Sequence, residues 1–152
     1  MEQLKVGDLA PDAELRDYEN NPVKLSDVRG KWTVLVFYPY AFSRICTHEL
    51  NRYNEDFEKF TAKGARVIGI SVDSRHAQRA FAERLGLKDG LTLLSDFPHK
   101  RAAIAFGALD ENVGAARRMT IVINPEGRIA YLVNNPTTDA REHGDALNAI
   151  GG

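Results

Sequence analysis

The sequence is poor in cysteine: among its 152 residues, only Cys46 carries a thiol. A single cysteine excludes a disulfide within the chain and a metal site built from several thiolates. Long apolar runs are also missing, since the longest are strand-sized and a membrane-spanning helix needs about 20 apolar residues. Met1 is not followed by the charged start and apolar run of a secretory signal, so we expect a cytoplasmic protein that contacts no membrane.

The sequence lacks an excess of charge of either sign. Its formal net charge of -1 at pH 7 gives no reason to expect nucleic acid or an anionic membrane as partner. What is present is the composition of a soluble globular protein, 43% hydrophobic and 27% charged. Repeats, low-complexity tracts and linkers are absent, which predicts one domain over residues 1–152.

Two apolar segments predict buried parallel strands. Residues 32–38 are apolar, β-branched and aromatic and end at Pro39, and residues 67–72 have the same character. Between them apolar residues recur at steps of three and four, which predicts one helix capped by Gly64. The residues of this stripe are Leu50, Tyr53, Phe57 and Phe60. A strand, a helix and a strand with short links form a parallel crossover unit.

Two further helices are predicted in the middle of the chain. The first covers residues 74–85 and stops at Gly86. Its expected inward side chains are Ala77, Phe81 and Leu85. The second is a short helix that starts around Asp96 and Pro98 and ends near residue 106.

The last third of the chain predicts a hairpin and a final helix. Residues 119–124 and 129–133 are strand-like, and the turn sequence at 124–127 joins them as an antiparallel pair. A final helix is also predicted, with Thr138 or Asp139 as its N-cap. The residues on its inward face are Ala140, His143, Leu147 and Ile150. This order predicts an α/β domain with a mixed central sheet and helices on both faces.

Cys46 stands between the first long strand and the following helix, where open α/β sheets place catalytic groups. If Ser43 is the N-cap, Cys46 is the third residue of the helix. Free backbone N–H groups and the helix dipole there favour a thiolate over a thiol. Ser43 lies three residues earlier on the same face, within reach of the thiolate or of a hydroperoxide. We therefore infer a reactive thiol rather than an inert core residue.

Pro39, Ser43 and Cys46 resemble the Pro-x-x-x-Thr/Ser-x-x-Cys signature of peroxiredoxins. Three further segments are similar to segments of that family in the same order: 6–12, 93–96 and the Arg-Met-Thr-Ile-Val-Ile run at 118–123. The resemblance covers nearly the whole chain and implies a thioredoxin-like sandwich.

The resemblance also implies a role for each of five residues. Cys46 would be the peroxidatic nucleophile that becomes a sulfenic acid. Arg118 would hold the thiolate and polarise the peroxide, because a guanidinium is a permanent cation with fixed donors. Ser43 would hydrogen-bond the peroxide, Pro39 would shield the pocket from water, and Glu49, also assigned to the substrate-binding site, would orient Arg118 or its neighbours. None of these roles requires a metal or a cofactor.

Asn51 stands where some relatives carry a second, resolving cysteine, five residues after the first. The sequence is therefore most similar to the one-cysteine, AhpE-like peroxiredoxins, near the bacterioferritin comigratory protein branch. The resemblance implies reduction of hydrogen peroxide, alkyl hydroperoxides and peroxynitrite in antioxidant defence. It also implies a homodimer and an external thiol reductant, either a thioredoxin-like or mycoredoxin-like protein or a low-molecular-weight thiol.

Simpler interpretations remain open at this point. Ser43 could only cap the helix, Pro39 could only end a strand, and Glu49 could only serve the helix dipole. The chain could also be a thiol–disulfide oxidoreductase, since residues 43–46 resemble a Cys-x-x-Cys motif without its first sulfur, or a non-enzymatic redox-sensing or chaperone-like module. A dyad of Cys46 with His48 is disfavoured, because residues two apart on a helix face different directions.

Overall fold

The computed structural model describes residues 3–28, 30–135 and 143–151. The strands in chain order are β1 (Glu14–Arg16), β2 (Pro22–Lys24), β3 (Trp32–Phe37), β4 (Ala65–Ser71), β5 (Leu91–Ser95), β6 (Leu109–Asp110), β7 (Ala115–Ala116), β8 (Arg118–Ile123) and β9 (Ile129–Asn135). The helices are α1 (Arg44–Glu55), α2 (Phe57–Ala62), α3 (Arg75–Leu85), α4 (Arg101–Ala105) and α5 (His143–Ala149). Thr138, Asp139 and Ala140, predicted for the start of the last helix, lie outside the described residues.

Seven strands form one mixed sheet in the order β2-β1-β5-β4-β3-β8-β9. Strands β3, β4 and β5 are parallel, whereas β8 runs antiparallel to both β3 and β9. These pairings confirm the predicted crossover and the predicted hairpin. The hairpin turn closes with a bond from Gly127 N–H to Asn124 O of 2.9 Å.

The central strand β3 supplies both halves of the core, because successive side chains of a strand point to opposite faces. Val34 and Val36 pack with apolar residues of α1, α2, α3 and α5 on one face of the sheet. Leu35 and Phe37 pack with residues of α4, β8 and the N-terminal segment on the other. Burial on both faces explains the uninterrupted apolar run in the sequence.

The predicted first helix is interrupted at Asp56, so the single helix was wrong in this respect. Asp56 leaves the helical conformation at φ -101° and ψ 17°. Its carboxylate lies 2.6 Å from Nε2 of His143 and 3.4 Å from Nζ of Lys59. Because only one residue interrupts the helix, the predicted apolar stripe from Leu50 to Phe60 still faces the core.

The two middle helices match the prediction to different degrees. The predicted range and the stop at Gly86 are confirmed for α3; Ser74 is its N-cap, and Gly86 has the left-handed conformation. Phe81 is buried, but Ala77 and Leu85 are only half-buried. The short helix begins at Arg101, later than predicted. Its start is delayed because the Asp96 carboxylate accepts from the N–H groups of residues 102 and 103 across an intervening turn that contains the cis Phe97–Pro98 peptide. In the described parts of the chain, no helix is long and apolar enough to cross a membrane.

Candidate active site

The sheet brings three chain segments to one edge. Phe37, the last residue of β3, pairs with Ile70 near the end of parallel β4 and with Met119 near the start of antiparallel β8. The loops that follow β3 and β4 therefore leave the sheet where β8 enters it. Cys46 follows β3 and Arg118 begins β8, so both residues belong to segments at this edge of the sheet.

Cys46 lies in the first turn of α1, at the predicted third position. Ser43 is the N-cap, with φ -67° and ψ 151°, and its Oγ accepts from the backbone N–H of Cys46 at 3.4 Å. This bond uses a lone pair of the hydroxyl and leaves its hydrogen to donate. Cys46 itself is 0% exposed. A thiol in this position is shielded from water while it faces the positive end of the helix dipole.

The loop before α1 has a strained turn. The N–H of Ser43 donates to Tyr40 O at 3.4 Å, and Phe42, the third residue of this turn, has φ 68°. A positive φ favours glycine, and for another residue it costs roughly 1–3 kcal/mol. The ring of Phe42 packs against Phe81 with centroids 5.0 Å apart, although Phe42 remains 53% exposed. Pro39, at the start of the loop, is buried.

A buried ion pair lies on the same face of α1 as the thiol. Nη1 of Arg118 is 2.6 Å from Oε1 of Glu49, and the two side chains are only 3% and 2% exposed. Glu49 stands three residues after Cys46, and residues at this spacing share a helix face. The pair costs desolvation, but loss of either partner would leave an uncompensated buried charge.

Tyr38, which directly follows β3, is a buried residue for which the sequence pattern indicated no role. It is fully buried, and its hydroxyl is hydrogen-bonded to the side chain of Gln78, which donates to Leu94 O at 2.7 Å. Burial raises the pKa of Tyr38 well above its usual value, against the effect of a hydrogen bond with Ser71. The charge of Asp73 raises this pKa further.

Two neighbours in sequence lie outside this arrangement. His48 is exposed while Cys46 is buried, so the two side chains point away from each other as expected. Arg117 is exposed, whereas Arg118 is buried against Glu49. Among the residues that the structure describes, no group of three or more His, Cys, Asp or Glu side chains could hold a metal ion.

The mixed sheet, the covering helices and a thiol at a helix start define a thioredoxin-like protein with a cysteine-centred site. The AhpC/TSA family model matches residues 6–132. Alkyl hydroperoxide reductase E of Mycobacterium bovis is 34% identical over 152 residues, which cover 97% of this chain and 98% of that protein. Chloroplastic peroxiredoxin Q of Triticum aestivum is 33% identical over 97% of this chain and 67% of its own length. The crystal structure of peroxidoxin BcpB from Mycobacterium tuberculosis superposes with a TM-score of 0.86 at 28% identity, covering 97% of each chain.

The chain therefore belongs to the AhpC/TSA family of peroxiredoxins. Its thioredoxin-like fold and its activity as a thiol-dependent peroxidase follow from that membership and confirm the resemblance seen in the sequence. Between the functions considered from sequence, family membership favours the peroxidase over a disulfide oxidoreductase or a non-enzymatic module. The single cysteine of these 152 residues is consistent with the one-cysteine type.

Proposed function

We propose that Cys46 is the nucleophile of this peroxidase and that Arg118, Ser43 and Pro39 complete its catalytic site. The observation that carries the proposal is the buried thiol in the first turn of α1 with the Arg118–Glu49 pair on the same helix face. Ser43 and Arg118 would contact the peroxide, and Glu49 would hold Arg118 in place beside it. The Ser43 hydroxyl supports this role, since its bond to Cys46 N–H leaves the hydroxyl hydrogen available.

The proposed reaction begins with the Cys46 thiolate, which attacks the terminal oxygen of the peroxide. An S–O bond forms and the O–O bond breaks, and the electron pair of the broken bond leaves on the second oxygen. That oxygen takes up a proton and departs as water or an alcohol. Arg118 stabilises the negative charge that develops on it, in a site where little water screens the interaction. The sulfur is oxidised by two electrons to a sulfenic acid.

The burial of Cys46 selects small substrates. A side chain that is 0% exposed can be reached only when the surrounding loop moves, and hydrogen peroxide needs the least movement. Alkyl hydroperoxides and peroxynitrite are the further proposed substrates. The buried Pro39 supports its role in keeping water from the sulfur.

We propose that an external thiol returns Cys46 to its reduced state. A first thiol would displace water from the sulfenic acid to give a mixed disulfide, and a second thiol would release Cys46 and form the disulfide of the reductant. A thioredoxin-like or mycoredoxin-like protein, or a low-molecular-weight thiol, has the required chemistry. The single cysteine of these 152 residues supports this route.

The proposal includes a cytoplasmic homodimer in which residues 1–152 form one domain. Exposed aromatic side chains support a dimer. They lie in loops that follow the parallel strands, at the same edge of the sheet as the proposed site. Tyr40 and Phe42 follow β3, Phe97 follows β5, and their exposed fractions are 47%, 53% and 55%. Exposed apolar surface of this kind is typical of protein contacts. Light scattering should give twice the chain mass, and the chain mass itself would contradict the dimer.

Stopped-flow mixing of the reduced protein with hydrogen peroxide tests the proposed nucleophile. The protein should consume one equivalent of peroxide, and dimedone should then label Cys46, as located by mass spectrometry. Cys46→Ser should remove both signals, while His48→Ala, which changes an exposed neighbour, should keep them. Peroxide consumption by Cys46→Ser at the wild-type rate would contradict the proposal.

A further inference from the structure

Asp73 joins the catalytic loop to the neighbouring strand. It lies just beyond the end of β4, in the loop beside the one that leads from β3 to α1. Its Oδ2 accepts from the backbone N–H of Ala41 at 2.8 Å and from Oγ of Ser71 at 2.6 Å. Hydrogen bonds to an ionised acceptor are stronger than those between neutral groups. One carboxylate oxygen thus holds the loop against β4.

The loop requires such a contact because of its strained turn. Ala41 is the second residue of the turn that spans Tyr40 to Ser43, and Phe42 at its third position has φ 68°. A non-glycine residue keeps this conformation only where its surroundings hold it. The bond from Asp73 to Ala41 and the packing of the Phe42 ring provide this restraint. Release of the turn would displace Ser43, which begins the helix.

Asp73 is itself fixed to two strands. Its backbone N–H donates to Ser71 Oγ at 3.3 Å, and its carbonyl oxygen accepts from Ser95 Oγ at 2.6 Å. Ser71 ends β4 and Ser95 ends β5, and Asp96 N–H donates to Ser71 O at 2.9 Å. The carboxylate is therefore presented to the loop from the rigid part of the sheet.

We propose that Asp73 is a positioning residue for peroxide reduction: it fixes the Tyr40–Ser43 turn through Ala41 and so sets the Ser43 hydroxyl relative to Cys46. The proposal rests on the roles proposed above for Cys46 and Ser43. Ser71 orients the carboxylate. Asp73 acts by its acceptor geometry, since it contacts the loop backbone rather than the reacting atoms.

The test compares Asp73→Ala with Asp73→Asn in stopped-flow reduction of hydrogen peroxide. Asp73→Ala should lower the second-order rate constant about ten- to hundredfold, the effect of misplacing a group near a reacting centre. Asp73→Asn should recover most of that loss, because its amide oxygen can accept from Ala41 and Ser71 without the charge. A wild-type rate in Asp73→Ala would overturn the proposal, as would equal losses in both variants.

A second readout separates positioning from damage to the thiol. Alkylation of Cys46 by iodoacetamide needs the thiol but not the peroxide contacts, so it should not slow in Asp73→Ala. A parallel fall in both rates would overturn the proposal. Asp17→Ala is the matched control, because Asp17 Oδ1 accepts from the N–H groups of Glu19 and Asn21, each at 2.9 Å, in a loop that the site does not use. Its rate should equal that of the wild type.

If Asp73→Ala does not fold, Ser71→Ala tests the role of Asp73 instead. This variant keeps the Asp73 carboxylate and removes one group that orients it. A loss of roughly threefold or more in the peroxide rate supports the proposal, and an unchanged rate overturns it. An inert wild-type protein would instead refute the proposed function itself. A reactive wild type with an equally reactive Asp73→Ala refutes only the role of Asp73.

Discussion

The starts of α1 and α3 are nearly identical in local geometry. Each helix follows a parallel strand at the same edge of the sheet, and each begins with a serine N-cap. Ser43 has φ -67° and ψ 151°, and Ser74 has φ -63° and ψ 161°. Their Oγ atoms accept from the N–H of the third helical residue, Cys46 at 3.4 Å and Ala77 at 3.3 Å. A cap and a helix dipole are therefore present twice in this protein.

The two helix starts differ in what the sheet places beside them. Strand β8 pairs with β3 and not with β4, and Arg118, the first residue of β8, binds Glu49 of α1. On α1 the third and sixth residues, Cys46 and Glu49, are buried, and Glu49 binds Arg118. On α3 the same positions hold a half-buried Ala77 and an exposed Ala80. The buried Arg118–Glu49 pair therefore distinguishes the start of α1 from the otherwise similar start of α3.

Of the changes at the start of α1, removal of Arg118 should slow peroxide reduction the most. Arg118→Ala should slow hydrogen peroxide reduction about a hundredfold, because in the proposed mechanism Arg118 stabilises the charge that develops on the leaving oxygen. Stopped-flow kinetics at several peroxide concentrations measure the loss. Arg117→Ala, which changes the exposed neighbour, should react at the wild-type rate. An unchanged rate in Arg118→Ala would remove Arg118 from the site.

The two serine caps provide a matched pair of variants. Ser43→Ala and Ser74→Ala should each lower the free energy of unfolding by about 1 kcal/mol, since each removes one N-cap. Only Ser43→Ala should also slow peroxide reduction, by roughly tenfold, because it alone removes a donor to the reacting groups. Urea unfolding and stopped-flow kinetics measure the two effects. Equal rates in both variants would reduce Ser43 to a cap.

The far end of α1 should affect stability and leave catalysis unchanged. The hydrogen bond with His143 holds the pKa of Asp56 below its usual value. A lowered pKa means that the stabilisation is present above the unfolded pKa of about 4 and is lost as the pH falls through the folded value. Asp56→Asn should therefore lower the Tm slightly at pH 7, and its Tm should approach that of the wild type in stronger acid. A slower peroxide reaction in this variant would show that the whole helix, and not its start, sets the reactivity.

Local features of the site could be read from the sequence, whereas its distant contacts could not. Ser43 and Cys46 are three residues apart, so the helix period alone predicts their contact. The contact of Arg118 with Glu49 depends on the pairing of β8 with β3, and only the family resemblance indicated it. The bonds of Asp73 to Ala41 and of Asp56 to His143 join separate elements and leave no periodic pattern.

The end of α1 and the start of α4 also depend on contacts between separate segments, so the sequence pattern predicted them wrongly. The apolar stripe from Leu50 to Phe60 predicted the buried face correctly, but the stripe continues across the interruption at Asp56 and does not reveal it. The short helix begins at Arg101, five residues after Asp96, whose carboxylate accepts from the N–H groups of residues 102 and 103 across a turn that the sequence pattern did not indicate.

Moving the thiol from the start of α1 to the start of α3 shows whether a serine-capped helix start is enough to make a cysteine reactive toward peroxide. Ala77→Cys in a Cys46→Ser background places a cysteine at the third position of α3, which Ser74 caps. Position 77 is more exposed than position 46. Stopped-flow mixing with hydrogen peroxide should show a rate constant at least about a hundredfold below that of Cys46, because β8, which carries Arg118, pairs with β3 and not with β4. A rate constant within tenfold of the wild type would contradict a role for the Arg118–Glu49 pair, since a capped helix start alone would then make a cysteine reactive.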